Sequence, residues 1–219
     1  MMEDHEIARI AMVRAWVDGW VISRDTAPPV PEPWGLRVDV GLPGHRVRHI
    51  VPAPTPALIQ RLTAEISAPD TWLKLCAPAE LVAPWLPSAW SIAQPEFMMT
   101  ATLAAGPAPH PPGYTPAVTT RSGVTVARLI TAAGEIAARG QLTIAGRVAT
   151  MDQVETAPAH RRRGLGSVIM RMLAAEAATR GATTGVLVAT PEGRALYENL
   201  GWHLHSPMTA AVLRSVRPA

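Results

Sequence analysis

The sequence predicts an α/β (α+β) protein made of two related halves, and three observations predict it. Of the 219 residues, 48% are apolar, enough to bury a sizeable core. Each half runs through the order strand, helix, strand, helix, strand, with short alternating runs giving way to apolar residues at helical spacing. Finally, Trp90-Ser-Ile-Ala-Gln-Pro95 with Met99-Thr-Ala is matched by Trp202-His-Leu-His-Ser-Pro207 with Met208-Thr-Ala, which reads as an internal duplication.

In the first half, Ile7, Ile10, Ala11, Arg14 and Val17 set out an amphipathic helix over residues 5–21. A proline-rich loop follows. Residues 36–40 and 46–50 alternate as strands around the turn Gly41-Leu-Pro-Gly44. Leu58, Ile59, Leu62 and Ile66 mark a helix; residues 72–76 are a short strand, 79–86 a short helix and 90–103 an extended segment. In the second half, residues 116–121, 124–131, 135–144 and 147–156 are four successive strands, with turns at Ser122-Gly123, Ala133-Gly134 and Ala145-Gly146, so a meander is expected. Leu165, Val168, Ile169, Met172 and Leu173 then open a helix to residue 180, followed by a strand at 185–189, a helix at 192–200 and a closing strand to 213.

Composition places the boundary. Eighteen of the 22 prolines lie before residue 117 and six of the seven tryptophans before residue 91. The segment 105–113 is too rich in proline and glycine for an element interior and is expected to link a first unit, 1–104, to a second, 114–219.

Other classes fall away. No run of 18 uncharged apolar residues is present, so no membrane span is expected. The acidic start, Met1-Met2-Glu3-Asp4-His5, does not resemble a secretory leader, which makes the cytoplasm the expected location. Cys76, the single cysteine, excludes internal disulfides and reads as a buried apolar residue. The seven histidines show no metal-ligand spacing, so no metal is expected. The net charge is +3, and Lys74 is the only lysine among 20 basic residues. The arginines are scattered and lack aromatic interleaving, which argues against a nucleic-acid partner. One cluster stands out: Arg161-Arg162-Arg163.

That cluster sits where a strand passes through the turn Thr156-Ala-Pro-Ala-His160 into a helix whose first turn carries Gly164 and Gly166. Such a helix start exposes unpaired N–H groups, glycine lets a ligand approach the main chain, and the helix dipole adds positive charge. Arginines add charge-assisted bonds to phosphate oxygens, so a pyrophosphate suits the site. The segment is neither a Walker loop nor Gly-x-Gly-x-x-Gly.

Arg161-x-x-Gly164-x-Gly166 resembles the Gln/Arg-x-x-Gly-x-Gly/Ala acyl-CoA signature of the GNAT superfamily of N-acetyltransferases. The segment Thr190-Pro-Glu-Gly-Arg-Ala-Leu-Tyr-Glu-Asn-Leu-Gly-Trp202 is similar to that family's later Ala-x-x-Leu-Tyr-x-x-Leu-Gly-Phe stretch, with two residues fewer between Ala195 and Tyr197. The resemblance covers residues 114–213. It implies a GNAT-type mixed, mostly antiparallel, twisted sheet flanked by helices, here as a tandem whose first half is degenerate and lacks the signature at Pro52-Ala-Pro-Thr-Pro56.

By the same resemblance, acetyl-CoA is the acyl donor and no metal takes part. The N–H groups of Arg162, Arg163, Gly164, Leu165, Gly166 and Ser167 would cradle the pyrophosphate with help from the arginine side chains, Arg161 included. Main-chain groups of Val154 and Thr156 would pair with the pantetheine arm, the strand splaying from its neighbour. Tyr197 matches the tyrosine near the thioester sulfur, a candidate general acid. Strict alternation along 147–156 puts Thr150, Asp152, Val154 and Thr156 on one face, making Asp152 the better-placed base, although an arginine-paired strand carboxylate explains it equally well. The expected reaction is direct attack on the thioester by a primary amine of a small molecule or an amino terminus. The alternative is a non-catalytic acyl-CoA-binding sensor or sequestering, self-protection protein. An oligomer is compatible with either.

One departure matters. A typical member inserts two helices after its first strand, walling the acceptor site, whereas residues 116–147 offer only strands and turns. The first half is therefore expected to supply that wall, with Trp34, Trp85, Trp90, Phe97 and Met98 as candidate contacts.

Overall fold

The structure, a computed structural model, describes residues 2–106 and 111–214; the linker expected at 105–113 lies partly outside the described residues. The elements in order are α1 (Met2–Arg24), β1 (Val30–Glu32), β2 (Gly35–Leu42), β3 (His45–Val51), α2 (Pro56–Glu65), β4 (Thr71–Leu75), α3 (Ala79–Val82), β5 (Trp90–Ile92), β6 (Glu96–Thr102), β7 (Tyr114–Arg121), β8 (Val124–Thr131), β9 (Ile136–Ala145), β10 (Val148–Thr156), α4 (Leu165–Thr179), β11 (Thr184–Ala189), α5 (Pro191–Asn199) and β12 (His203–Leu213). A 3-10 turn extends α3 over Ala83–Trp85 and another, Pro158–His160, follows β10.

Local chemistry sets the helix starts. Thr55 caps α2, its hydroxyl accepting from the Leu58 N–H at 3.3 Å, and Thr190 caps α5 by accepting from Gly193 N–H at 3.2 Å; proline occupies the first turn of both. Helix α4 begins differently. Gly164 sits at its N-cap in the left-handed region, φ 74°, where no side chain caps the exposed N–H groups.

The strands form one sheet in the order β1-β2-β3-β4-β12-β6-β11-β10-β9-β8-β7, with β5 pairing β12. The meander expected over β7 to β10 is present. Strands β3 and β4 pair in parallel across α2, as β10 and β11 do across α4, and every other pairing is antiparallel. The tandem order is therefore visible in three dimensions: β3-α2-β4-α3-β6 repeats as β10-α4-β11-α5-β12. The last strands are exchanged. Strand β6, early in the chain, pairs with β11, whereas β12, late in the chain, pairs with β4; β6 and β12 meet in the middle, Met98 opposite Ser206.

Helices cover both faces. Under α4, Leu129, Leu142, Leu165, Ile169 and Leu173 bury one cluster, and near α2, Val51, Ile59, Leu62, Leu73 and Leu75 bury another. Met98 and Met208 point to the opposite face, where they meet Val13, Trp16, Val17, Trp20 and Val21 of α1. This stripe differs from the expected one, because Ile7 and Ile10 are 61% and 41% exposed. The helix runs to Arg24, and the part lying over the sheet is its C-terminal half, which fixes the buried face there.

Candidate functional site

Strands β10 and β11 pair only through Val148, Ala149 and Thr150 against Thr184, Gly185 and Val186. Beyond those pairs both strands continue, β10 to Thr156 and β11 to Ala189, without pairing each other. The sheet opens there into a cleft of about 1480 Å³. Residues 151–158 line one side, 187–190 the other, and Arg161, Arg162, Gly164, Leu165 and Gly166 close one end. Because β9 occupies the far edge of β10, the cleft-side edge of residues 151–156 keeps main-chain groups without a strand partner.

A bulge shapes that wall. The β9 register slips between Asp152 and Glu155, and Gln153 adopts φ 51°. Before the bulge, Thr150 faces α1, since a methyl group built on Gly19 would touch its hydroxyl, and Asp152 accepts from Ser23 and Arg24 of α1. After the bulge, Val154 packs toward Ile169 and Leu173 of α4, and Thr156 lies beside Gly166. The expectation that strict alternation keeps Asp152 on one face with Val154 and Thr156 is thus corrected: the extra residue turns Val154 and Thr156 to the α4 side and leaves Asp152 toward α1.

Asp152 is held by four hydrogen bonds. It accepts from Ser23 Oγ at 2.8 Å, from Arg24 Nε and Nη2 at 2.6 and 2.8 Å, and from the Gln153 N–H at 2.9 Å. The bidentate bond to Asp152 is the main reason that Arg24 has a raised pKa. Since the arginine side chain is 42% exposed, the pair adds at most about 1 kcal/mol of stability and serves to orient Arg24. Gln141 completes the seam by donating from Nε2 to Ser23 O and Oγ, both at 2.7 Å. Thr143 Oγ1 donates to Gly19 O at 2.9 Å.

Tyr197 lines the opposite wall of the cleft, 9% exposed, its ring 6.2 Å from that of Trp202. Burial, and secondarily the charge of Asp152, pushes its phenol up to about 12. The Arg163 side chain donates to the Tyr114 hydroxyl at 3.0 Å, and neither Arg163 nor Ser167 is among the cleft-lining residues. His160 also contacts the Tyr114 hydroxyl, Nδ1 at 3.0 Å. Cys76 is buried, with its thiol pushed up to about 12 by desolvation.

The first half does reach the cleft, through a residue the sequence did not single out. None of Trp34, Trp85, Trp90, Phe97 and Met98 lines it; Trp90 and Met98 are core, Trp34 and Trp85 pack beside the α2 cluster, and Phe97 lies under the Arg194 guanidinium at 4.5 Å. Arg24 supplies the contact instead, from the C-terminal end of α1. Its only sequence signal is a basic residue in a helix's last turn, which resembles ordinary dipole compensation. Glu155, exposed on β10, and Glu192, exposed on α5, are the other acidic residues on the cleft wall. Among the described residues no group of three His, Cys, Asp or Glu is arranged to hold a metal ion.

Residues 127–210 match the family model described as FR47-like protein. The fold is similar to that of a GCN5-related N-acetyltransferase from Kribbella flavida, TM-score 0.67 and 17% identity, covering 95% of this chain and 96% of that one. A GNAT-family protein from Novosphingobium aromaticivorans gives 0.57 and 19%, covering 93% and 99%. A tandem GNAT protein from the clavulanic acid biosynthesis pathway gives 0.50 and 10%, covering 73% and 68%. No curated protein matches the chain.

Proposed function

We propose that this chain, with a GNAT fold along its length and the FR47-like pattern over residues 127–210, is an acyl-CoA-dependent N-acyltransferase that moves an acetyl group from acetyl-CoA to a primary amine of a small molecule or an amino terminus. One observation carries the reading: the parting of β10 from β11 opens onto the glycine-bearing start of α4, so an unpaired strand edge and an uncapped helix N-terminus share one cleft.

The residues present fit the donor. An uncapped helix start flanked by Arg161 and Arg162 suits a pyrophosphate. The free edge at Val154 to Thr156 offers amide and carbonyl groups at strand spacing to a pantetheine arm. The thioester supplies the acyl group and a sulfur able to leave. Tyr197, buried beside the cleft, keeps its proton to about pH 12, so it donates a hydrogen bond to that sulfur without surrendering the proton. Passing the proton to a thiol of pKa about 8.5 would be uphill by roughly 5 kcal/mol.

Asp152 is a positioning residue in this scheme. Its carboxylate oxygens are occupied by Ser23, Arg24 and Gln153, and they hold Arg24 at the cleft wall. The exposed Glu155, after the bulge, remains for accepting the amine proton through water. Titration of acetyl-CoA into the protein, followed by thiol release over an amine panel, tests the reading. Saturable binding with amine-dependent thiol release is expected; tight binding with no release on any amine would sink the transfer.

A further inference from the structure

Beside the cleft, on the α1 side of the sheet, a second cavity of about 150 Å³ is lined by Trp20, Arg24, Thr26, Val40, Leu42, His45 and Arg48. Arg24 borders both spaces, and Asp152 fixes its guanidinium through Nε and Nη2.

The small cavity contains a buried cation to which no carboxylate is hydrogen-bonded: burial lowers Arg48 to about 10, and Glu96 and Asp152 oppose that only through space. Arg48 is only 8% exposed, and its side-chain hydrogen bonds go to no carboxylate: Nε and Nη2 both reach His45 Nε2, at 3.1 and 2.9 Å. To accept from a guanidinium that imidazole nitrogen must be unprotonated, and burial together with Arg48 lowers His45 to about 4, keeping the ring neutral. The face of Arg48 lies on Trp20, 4.0 Å from the ring centroid, which fixes its plane. Lys74, also near His45, already has its own carboxylate, donating to both Glu96 oxygens at 2.6 Å. Thr26 adds a second unmet group, a buried hydroxyl Oγ1 without a hydrogen-bond partner. A buried guanidinium whose only side-chain acceptor is neutral, next to an orphan hydroxyl in a cavity of this size, calls for a small anion.

We propose that this cavity is the acceptor's anchoring subsite and takes a carboxylate, so that the favoured substrate is a small amino acid-like amine whose carboxylate is bound by Arg48 and Thr26 while its amino group passes Arg24 into the cleft. This rests on the transfer reading above and adds the substrate class to it. The flat edge of Arg48 matches a planar carboxylate, and the apolar walls Val40 and Leu42 accommodate a short side chain.

Two measurements on the full chain test it. The first needs no turnover: thermal unfolding in propionate against propionamide at equal ionic strength. Wild type is expected to be stabilised by propionate alone, and Arg48→Met, which keeps an unbranched stem against Trp20, is expected to lose that shift. The second compares thiol release with amino acids and with their methyl esters. Wild type is expected to favour the free acids by at least about 10-fold in kcat/KM, and Arg48→Met to lose about 10- to 100-fold on the acids only, with KM for acetyl-CoA unchanged. Thr26→Val, nearly isosteric, provides a milder variant with the same pattern at roughly 3- to 10-fold. An equal propionate shift in wild type and Arg48→Met, or equal use of acids and esters, overturns the subsite even if transfer occurs. An Arg48-dependent propionate shift without thiol release on any amine sustains the subsite and overturns the transfer reading instead. Stronger stabilisation by methylphosphonate than by propionate overturns the assignment to a carboxylate.

Discussion

Gly19→Ala sets two effects of opposite sign against each other. Gly19 lies inside α1, where alanine would ordinarily stabilise a helix by about 1 kcal/mol. Its Cα, however, sits against the sheet: a Cβ would come within 2.2 Å of Thr150 Oγ1, 2.6 Å of Thr150 Cβ and 2.8 Å of Thr143 Oγ1. Both threonines belong to buried strand positions, so relief requires α1 to lift by about 1 Å. Lifting costs roughly 1–3 kcal/mol of overpacking and strains the Thr143 to Gly19 O hydrogen bond, another 1–2 kcal/mol. The net expectation is a destabilisation of about 1–4 kcal/mol, read as a fall of roughly 3–12 °C in Tm. Ser23 and Arg24 lie about one turn further along, so transfer to the acceptor should weaken while affinity for acetyl-CoA holds. Thermal unfolding and kcat/KM on purified variants supply the numbers, and Thr150→Gly should recover at least about 1 kcal/mol in a double-mutant cycle. A Gly19→Ala protein as stable as wild type, or more so, refutes the close approach and with it the role of α1 as the wall.

Other expectations concern titration and the exchanged strands. Tyr197→Phe should lower kcat about 10- to 100-fold with little change in acetyl-CoA affinity, and wild-type kcat should show no alkaline limb due to Tyr197 below about pH 11. Because that phenol is raised from 10 to about 12, its stabilising contribution is complete below pH 10 and is lost as pH rises to about 12; urea midpoints of wild type and Tyr197→Phe should diverge across that window. His45 and His49 are both lowered from 6.5 to about 4 by burial, so the stability that they confer when neutral is present above pH 6.5 and lost toward pH 4; His49→Gln should flatten that acid slope in urea titrations. Residues 113–219 expressed alone lack β6, the antiparallel partner of both β11 and β12, and should not give a soluble, cooperatively melting monomer by size exclusion and circular dichroism.

Much of this was legible in the sequence because it is local. Helix and strand periods, the glycine turns of the meander and the glycine-bearing start of α4 involve residues a few positions apart, and the duplicated Trp90 and Trp202 segments do lead to equivalent strands β6 and β12. The three-residue strand β1 was missed, since Val30-Pro-Glu32 alternates too briefly to stand out from the surrounding prolines. What could not be read is the choice of strand partner: Met99 is compatible with either neighbour until the sheet is assembled. Nor does anything in Asp152-Gln-Val-Glu155 announce a bulge, for its turning residue is Gln153 and not glycine. The buried stripe of α1 was misplaced because periodicity gives a face and not the stretch of helix that touches the sheet.

The position of β12 also governs how the molecule comes into being. Thr209 to Leu213 pair with Thr71 to Leu75, more than a hundred residues earlier, so β4 leaves the ribosome long before the strand that covers it. Until then the edge of β4 that β12 will cover stays bare, and β6 cannot be enclosed before β11 appears. Closure of so distant a pairing is entropically slow, and an unpaired edge recruits other chains in the meantime. Synthesis should therefore carry a long vulnerable interval in which stalled chains aggregate, and refolding from denaturant should be limited by the insertion of β12.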